Sequence, residues 1–240
     1  MLVAAAVCPH PPLLVPTAGG DGAPELTSLR AAAVAAIRGL GAAGAATLLL
    51  VGDAPAPLDT ADATGTLAGL GIPLEVRLAG GCEGDGRGAG PALPLALTIG
   101  TWLLGETGVA LPARAIGVPR SWSAQEAAAY GAGLVQGPAR VGLLVLGDAS
   151  ACRTEKAPGA LDPRAAPYDA AVARALAAAD PAALLALDPA LSDALLVAGR
   201  VPWQVLAGAA AGGGVWRGAV TADEAPFGVG YLVATWTRAG

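Results

Sequence analysis

Three short apolar runs, residues 2–7, 46–51 and 141–146, each stop within a few positions at a polar side chain. The first ends in Cys8-Pro9-His10-Pro11-Pro12, the second in Gly52-Asp53-Ala54-Pro55 and the third in Gly147-Asp148-Ala149-Ser150. Runs of strand length that are apolar throughout, without alternation, belong to strands buried on both faces, as in a parallel sheet covered by helices. Parallel strands joined by crossovers present their C-terminal ends to one edge, and open α/β sheets bind ligands there. The expected fold class is therefore α/β. A single domain over residues 1–240 has a mostly parallel central sheet flanked by helices, with an edge that gathers His10, Asp53 and Asp148.

The segments between these runs fit that scheme. Residues 25–40 place Leu26, Leu29, Ala33, Ile37 and Leu40 on one helical stripe. Residues 94–104 read as a buried helix and 114–118 as a strand. Ser121 or Ser123 reads as the N-cap of a helix through Val135, with Glu126 three residues after Ser123 completing a capping box. Helices are expected over 163–179, 181–198 and 203–211, and terminal strands over 215–220 and 229–236. Residues 59–91 are glycine-rich and weakly patterned, with a short strand near 74–78 and a mobile loop at 80–90.

Composition narrows the function. The chain is 54% hydrophobic and only 14% charged, but 35 glycines and a surplus of alanine account for much of that bias. The most apolar stretch, residues 93–111, carries Pro94, Glu106 and three glycines and lacks flanking basic anchors, so it reads as a buried helix and no membrane partner is expected. The N-terminus has no basic region of the kind that opens a signal peptide. A net charge of −5 with no basic stripe argues against nucleic acid. Three widely spaced cysteines, Cys8, Cys82 and Cys152, suit reduced thiols and a cytoplasmic location better than a disulfide framework.

His10 is the only histidine in the chain, so other chemistry must come from carboxylates, thiols or backbone. Ser150 lacks a nucleophile-elbow pattern, which leaves a hydrolase triad unsupported. Cys8 reads as a small buried hydrophobe, whereas Arg153 and Lys156 could lower the pKa of Cys152. Asp53 could cap the turn that follows it, and Asp148 is expected to tie down its own turn. No Gly-x-x-x-x-Gly-Lys-Ser/Thr occurs, and Gly80-Gly81-Cys82-Glu83-Gly84-Asp85-Gly86 carries acids where a phosphate cradle needs amides and a lysine.

Four blocks nonetheless fall in a familiar order: residues 4–16 (AAAVCPHPPLLVP), the strand ending VGDAP, residues 147–169 (GDASACRTEKAPGALDPRAAPYD) and residues 224–234 (EAPFGVGYLVA). In this the chain resembles the class III extradiol ring-cleavage dioxygenases, which include the catalytic β-subunit of protocatechuate 4,5-dioxygenase. The resemblance implies a non-haem Fe(II) site of two histidines and a glutamate, open to a catecholate and dioxygen, beside an acid/base histidine. Carried onto this chain, the first ligand falls on His10 and the glutamate on Glu224. The second histidine ligand is replaced by Asp53, and the acid/base histidine by Ala151.

A positioned acid or base contributes roughly 10²- to 10⁴-fold in rate, and Ala151 has no proton to move. The primary expectation is a degenerate relative that binds a small-molecule ligand or a partner without metal. Pro11, Asp148, Ser150, Ala151 and Cys152 are expected to line its pocket. The alternative is a dioxygenase acting on a catechol-like aromatic through a divalent metal on His10, Asp53 and Glu224, with Fe(II) expected first and Mn, Mg or Zn after it. Family members often associate, so a homodimer is also expected.

Overall fold

In a computed structural model, the chain is described over residues 1–18, 23–79 and 90–239; the expected loop at 80–90 falls almost wholly outside the described residues. The elements in chain order are β1 (Leu2–Cys8), α1 (Thr27–Ala42), β2 (Thr47–Asp53), β3 (Leu58–Thr60), β4 (Asp62–Thr66), β5 (Glu75–Ala79), α2 (Leu95–Gly105), β6 (Ala113–Val118), α3 (Ala124–Leu134) and β7 (Val141–Leu146). The remainder comprises α4 (Ala165–Ala178), α5 (Pro181–Leu185), α6 (Pro189–Ala194), α7 (Arg200–Ala210), β8 (Trp216–Glu224) and β9 (Tyr231–Arg238).

Seven strands form one sheet in the order β3-β6-β2-β7-β1-β9-β8. The four central strands β6, β2, β7 and β1 pair in parallel, while β3, β9 and β8 join antiparallel. The sheet is thus mixed, with three parallel and three antiparallel pairings, which corrects the expected mostly parallel sheet: the parallel core is built from the buried apolar runs, while the antiparallel strands flank it. Period-two alternation splits the side chains of these strands between two cores. Leu49, Val51, Ile116, Val118, Leu143 and Val145 face the core formed with α3, α4, α5 and α7. Leu48, Leu50, Ala113, Ala115, Leu144 and Leu146 face the core formed with α1 and α2.

The helices bury the faces that their patterns indicate. Leu26, Leu29, Ala33, Ile37 and Leu40 are all buried along the stripe of α1 and the turn that leads into it. Ser123 caps α3, its hydroxyl accepting from the amide of Glu126 while the Glu126 carboxylate accepts from the amide of Ser123. Residues 96–104 of α2 are buried throughout, and among the described residues no helix is long and apolar enough to cross a membrane. Trp203 and Trp236 are fully buried in the core.

Two further expectations need correction. Residues 181–198 form two short helices instead of one, because Asp188 starts a new helix by accepting from the amide of Leu191 at 2.8 Å, with Pro189 at the first position. Residues 59–91, read as weakly patterned, hold most of β3 and a separate hairpin in which the expected short strand, β5, pairs with β4. Small and polar residues fill β4, so it carries little hydrophobic signal.

Close approach positions α2. A Cβ built on Gly52 would stand 2.9 Å from Cβ of Ala96, so glycine at the end of β2 lets the first turn of α2 press against the strand beside Asp53.

Candidate functional site

Four neighbouring strands of the parallel core each contribute one polar residue at the C-terminal edge. In sheet order these are Arg120, two residues past β6; Asp53, the last residue of β2; Asp148, two residues past β7; and His10, two residues past β1. A cavity of about 770 Å³ opens at this edge, with His10, Asp53, Arg120 and Ser121 on its polar side and Leu93 and Pro94 among its apolar walls. Its volume suits a small organic molecule.

His10 is 5% exposed. Its backbone N–H donates to Oδ1 of Asp148 at 2.8 Å. Its ring lies between two carboxylates, with Nε2 3.8 Å from Oδ1 of Asp53 and Nδ1 3.7 Å from Oδ1 of Asp148. Those separations exceed hydrogen-bond length, and the buried Nδ1 has no hydrogen-bond partner among the described residues. Burial pushes the Asp148 carboxyl above its ordinary pKa, opposed chiefly by the charge of His10.

Asp53 reaches across to the neighbouring strand tip, where its Oδ2 accepts from Nε of Arg120 at 2.8 Å. The Arg120 side chain is 51% exposed, and a second arginine holds its loop. Arg200, itself buried, donates to the backbone carbonyls of Arg120 and Trp122 and to the side-chain oxygen of Gln204.

The remaining expected site residues do not line this cavity. Asp148 ties down the strand tip, as expected, but it and Pro11, Ser150, Ala151 and Cys152 are not among the residues lining this cavity. Ser150 is fully buried, donating through both its amide and its hydroxyl to Asp169, which also accepts from Arg153 at 3.0 Å. Burial pushes the Cys152 thiol upward in pKa, against the lowering that its basic neighbours suggest. Cys8 is wholly buried and its thiol is also pushed up.

Glu224 does not join His10 and Asp53. Its Oε1 accepts from the Ser28 hydroxyl at 3.2 Å, and it is absent from the cavity wall. Among the described residues, no three His, Cys, Asp or Glu side chains are grouped to hold a metal ion. The Arg120 guanidinium beside Asp53 further opposes a cation there. The residues present therefore do not fit the iron centre that the resemblance implies.

The apolar runs alone do not single out Arg120, although a signal for it existed. It follows its strand by the same two residues that separate His10 from Cys8 and Asp148 from Leu146.

No protein-family model matches the chain, and no curated protein matches it. Among solved structures it is similar to an uncharacterized protein from Escherichia coli K12, JW3007, at 12% identity and a TM-score of 0.53. That likeness covers 98% of this chain and 99% of the other, and it supports the fold alone.

Proposed function

We propose that this chain is a class III extradiol dioxygenase-like protein that binds a small organic molecule at the C-terminal edge of its parallel strands and has left iron-dependent ring cleavage. The observation that carries this reading is the pairing of Asp53 with Arg120 beside a buried, single histidine. A position where the resemblance expects a metal ligand is neutralised by a guanidinium, while the cavity and its imidazole persist. Ala151 supplies no acid/base group. Two free cysteines among the described residues, Cys8 and Cys152, are compatible with a reducing, cytoplasmic setting.

The test combines metal and ligand measurements. Elemental analysis of protein from iron-supplemented cultures, with His10→Ala as control, is expected to find no His10-dependent metal. Because His10 is the only histidine, its ring Cε1–H gives one unambiguous NMR signal, which is expected to move on titration with small organic molecules. Stoichiometric iron lost in His10→Ala, together with ring cleavage of an added catechol in air, would overturn the proposal in favour of a working dioxygenase.

A further inference from the structure

We infer that a second cavity, beneath α3 and toward the N-terminal ends of the parallel strands, binds an uncharged aromatic amide. It shares no lining residue with the cleft, so the inference goes beyond the reading above and does not depend on it.

The cavity has a volume of about 580 Å³, in the range that holds a small organic ligand. Leu49, Ile116 and Val141 form its floor, and Tyr130 and Leu134 of α3 overhang them. Helices ordinarily cover parallel strands on both faces. Here α3 rests chiefly on α7 instead of on β6. Glycine holds it there, since a Cβ on Gly131 or on Gly208 would collide with a backbone carbonyl of the facing helix. One turn of α3 therefore serves two purposes: Gly131 lies against α7, while Tyr130, Gly133 and Leu134 line the cavity. The space is preformed between packed elements, so a ligand does not have to open it.

Strands β3 and β6 supply a polar rim. Asp59 pairs directly across from Ile116, and Arg114 stands two residues before Ile116 on the same face of the sheet. Nη2 of Arg114 donates to Oδ1 of Asp59 at 2.6 Å. Both side chains are exposed, and an exposed pair of this kind adds little to stability. The second oxygen of Asp59 and the other nitrogens of Arg114 take no part in that bond and are open to a ligand. Burial, and after it the charge of Asp59, pushes the Tyr130 phenol above its ordinary pKa against the opposing charge of Arg114. The hydroxyl therefore stays protonated and can donate.

This rim selects by charge. A ligand carboxylate is repelled by Asp59 and a ligand ammonium by Arg114, and each repulsion offsets the attraction to the other member of the pair. A planar amide instead presents N–H to the carboxylate and C=O to the guanidinium or the phenol at the same time. The ring that carries it covers the apolar floor beside Tyr130.

The experiment uses three compounds with one ring and different charge, benzamide, benzoate and benzylammonium, on the full chain. Binding is followed by NMR of isotope-labelled tyrosine rings, with Tyr130→Phe identifying the Tyr130 signal, and the His10 signal is recorded in parallel. Benzamide is expected to shift the Tyr130 signal at millimolar concentration and to bind severalfold more tightly than either ion. Ala129→Trp places an indole over the cavity from an exposed helix position and is expected to abolish that shift. Asp59→Asn leaves Arg114 without its counter-charge and is expected to raise benzoate affinity severalfold; Arg114→Gln is expected to do the same for benzylammonium. Thermal melts check folding, and these two exposed positions provide independent arms should either variant unfold.

Either ion binding as tightly as benzamide overturns the inference, as does a Tyr130 shift that survives Ala129→Trp. A Tyr130 signal that moves with protein concentration alone, matched in sedimentation by a dimer that Ala129→Trp dissociates, also overturns it, since the cavity is then an interface between copies of the chain. No Tyr130 response to benzamide overturns it as well, and the cleft reading then stands or falls separately on the His10 signal.

Discussion

The backbone N–H of His10 donates to Oδ1 of Asp148 at 2.8 Å, joining the tips of two adjacent parallel strands, β1 and β7. The same carboxylate lies 3.7 Å from the imidazole Nδ1, so one acid sets both the path of the chain and the electrostatics of the ring. Removing that acceptor with Asp148→Ala leaves a buried N–H unpaired and is expected to cost about 1–3 kcal/mol, measured by urea unfolding.

Asp148→Asn separates the charge from the hydrogen bond, because its amide oxygen still accepts from His10. Burial raises the native pKa of Asp148 above its unfolded value. Below the unfolded pKa both states are protonated and the shift has no effect; as pH rises toward the raised native value, the unfolded chain releases its proton first and stability falls. The asparagine variant lacks this loss. Its melting temperature relative to the unsubstituted protein is therefore expected to increase from acid to neutral pH, and a constant difference would refute this.

Arg200 donates to the backbone of the loop that carries Arg120 into the cleft. Arg200→Met is expected to destabilise the protein by roughly 2–4 kcal/mol, since two carbonyls and the Gln204 oxygen lose a charged donor. Hydrogen exchange at residues 120–123 should accelerate more than exchange in β1 or β7. Uniform acceleration would assign Arg200 a global role instead.

Asp169 is 2% exposed and accepts from the amide and hydroxyl of Ser150 and from Arg153. Asp169→Ala is expected to cost roughly 3 kcal/mol by leaving these donors without their acceptor. Equilibrium unfolding would measure the loss, and Ser150→Ala should cost less because it removes a donor and leaves the carboxylate bonded to Arg153.

Helices α3 and α7 meet through glycine. A Cβ on Gly131 would collide with the Val205 carbonyl, and one on Gly208 with the Ala128 carbonyl. Gly208→Ala is expected to lower stability by about 1–3 kcal/mol through forced separation of the helices. An unchanged melting temperature would contradict the close packing.

The parallel core, the stripe of α1 and the capped start of α3 were legible in the chain before any coordinates, because each depends on short-range periodicity or on a motif a few residues long. His10, Asp53 and Asp148 could be placed at strand tips in the same way, since a buried apolar run must end where the chain turns polar. Their roles came from packing. Strand order put Arg120 beside Asp53 and left Glu224 on Ser28, and no local pattern encodes which strand tip neighbours which. Pairing across the sheet joins residues far apart in the chain, so the character of the cleft emerges only when the strands are ordered.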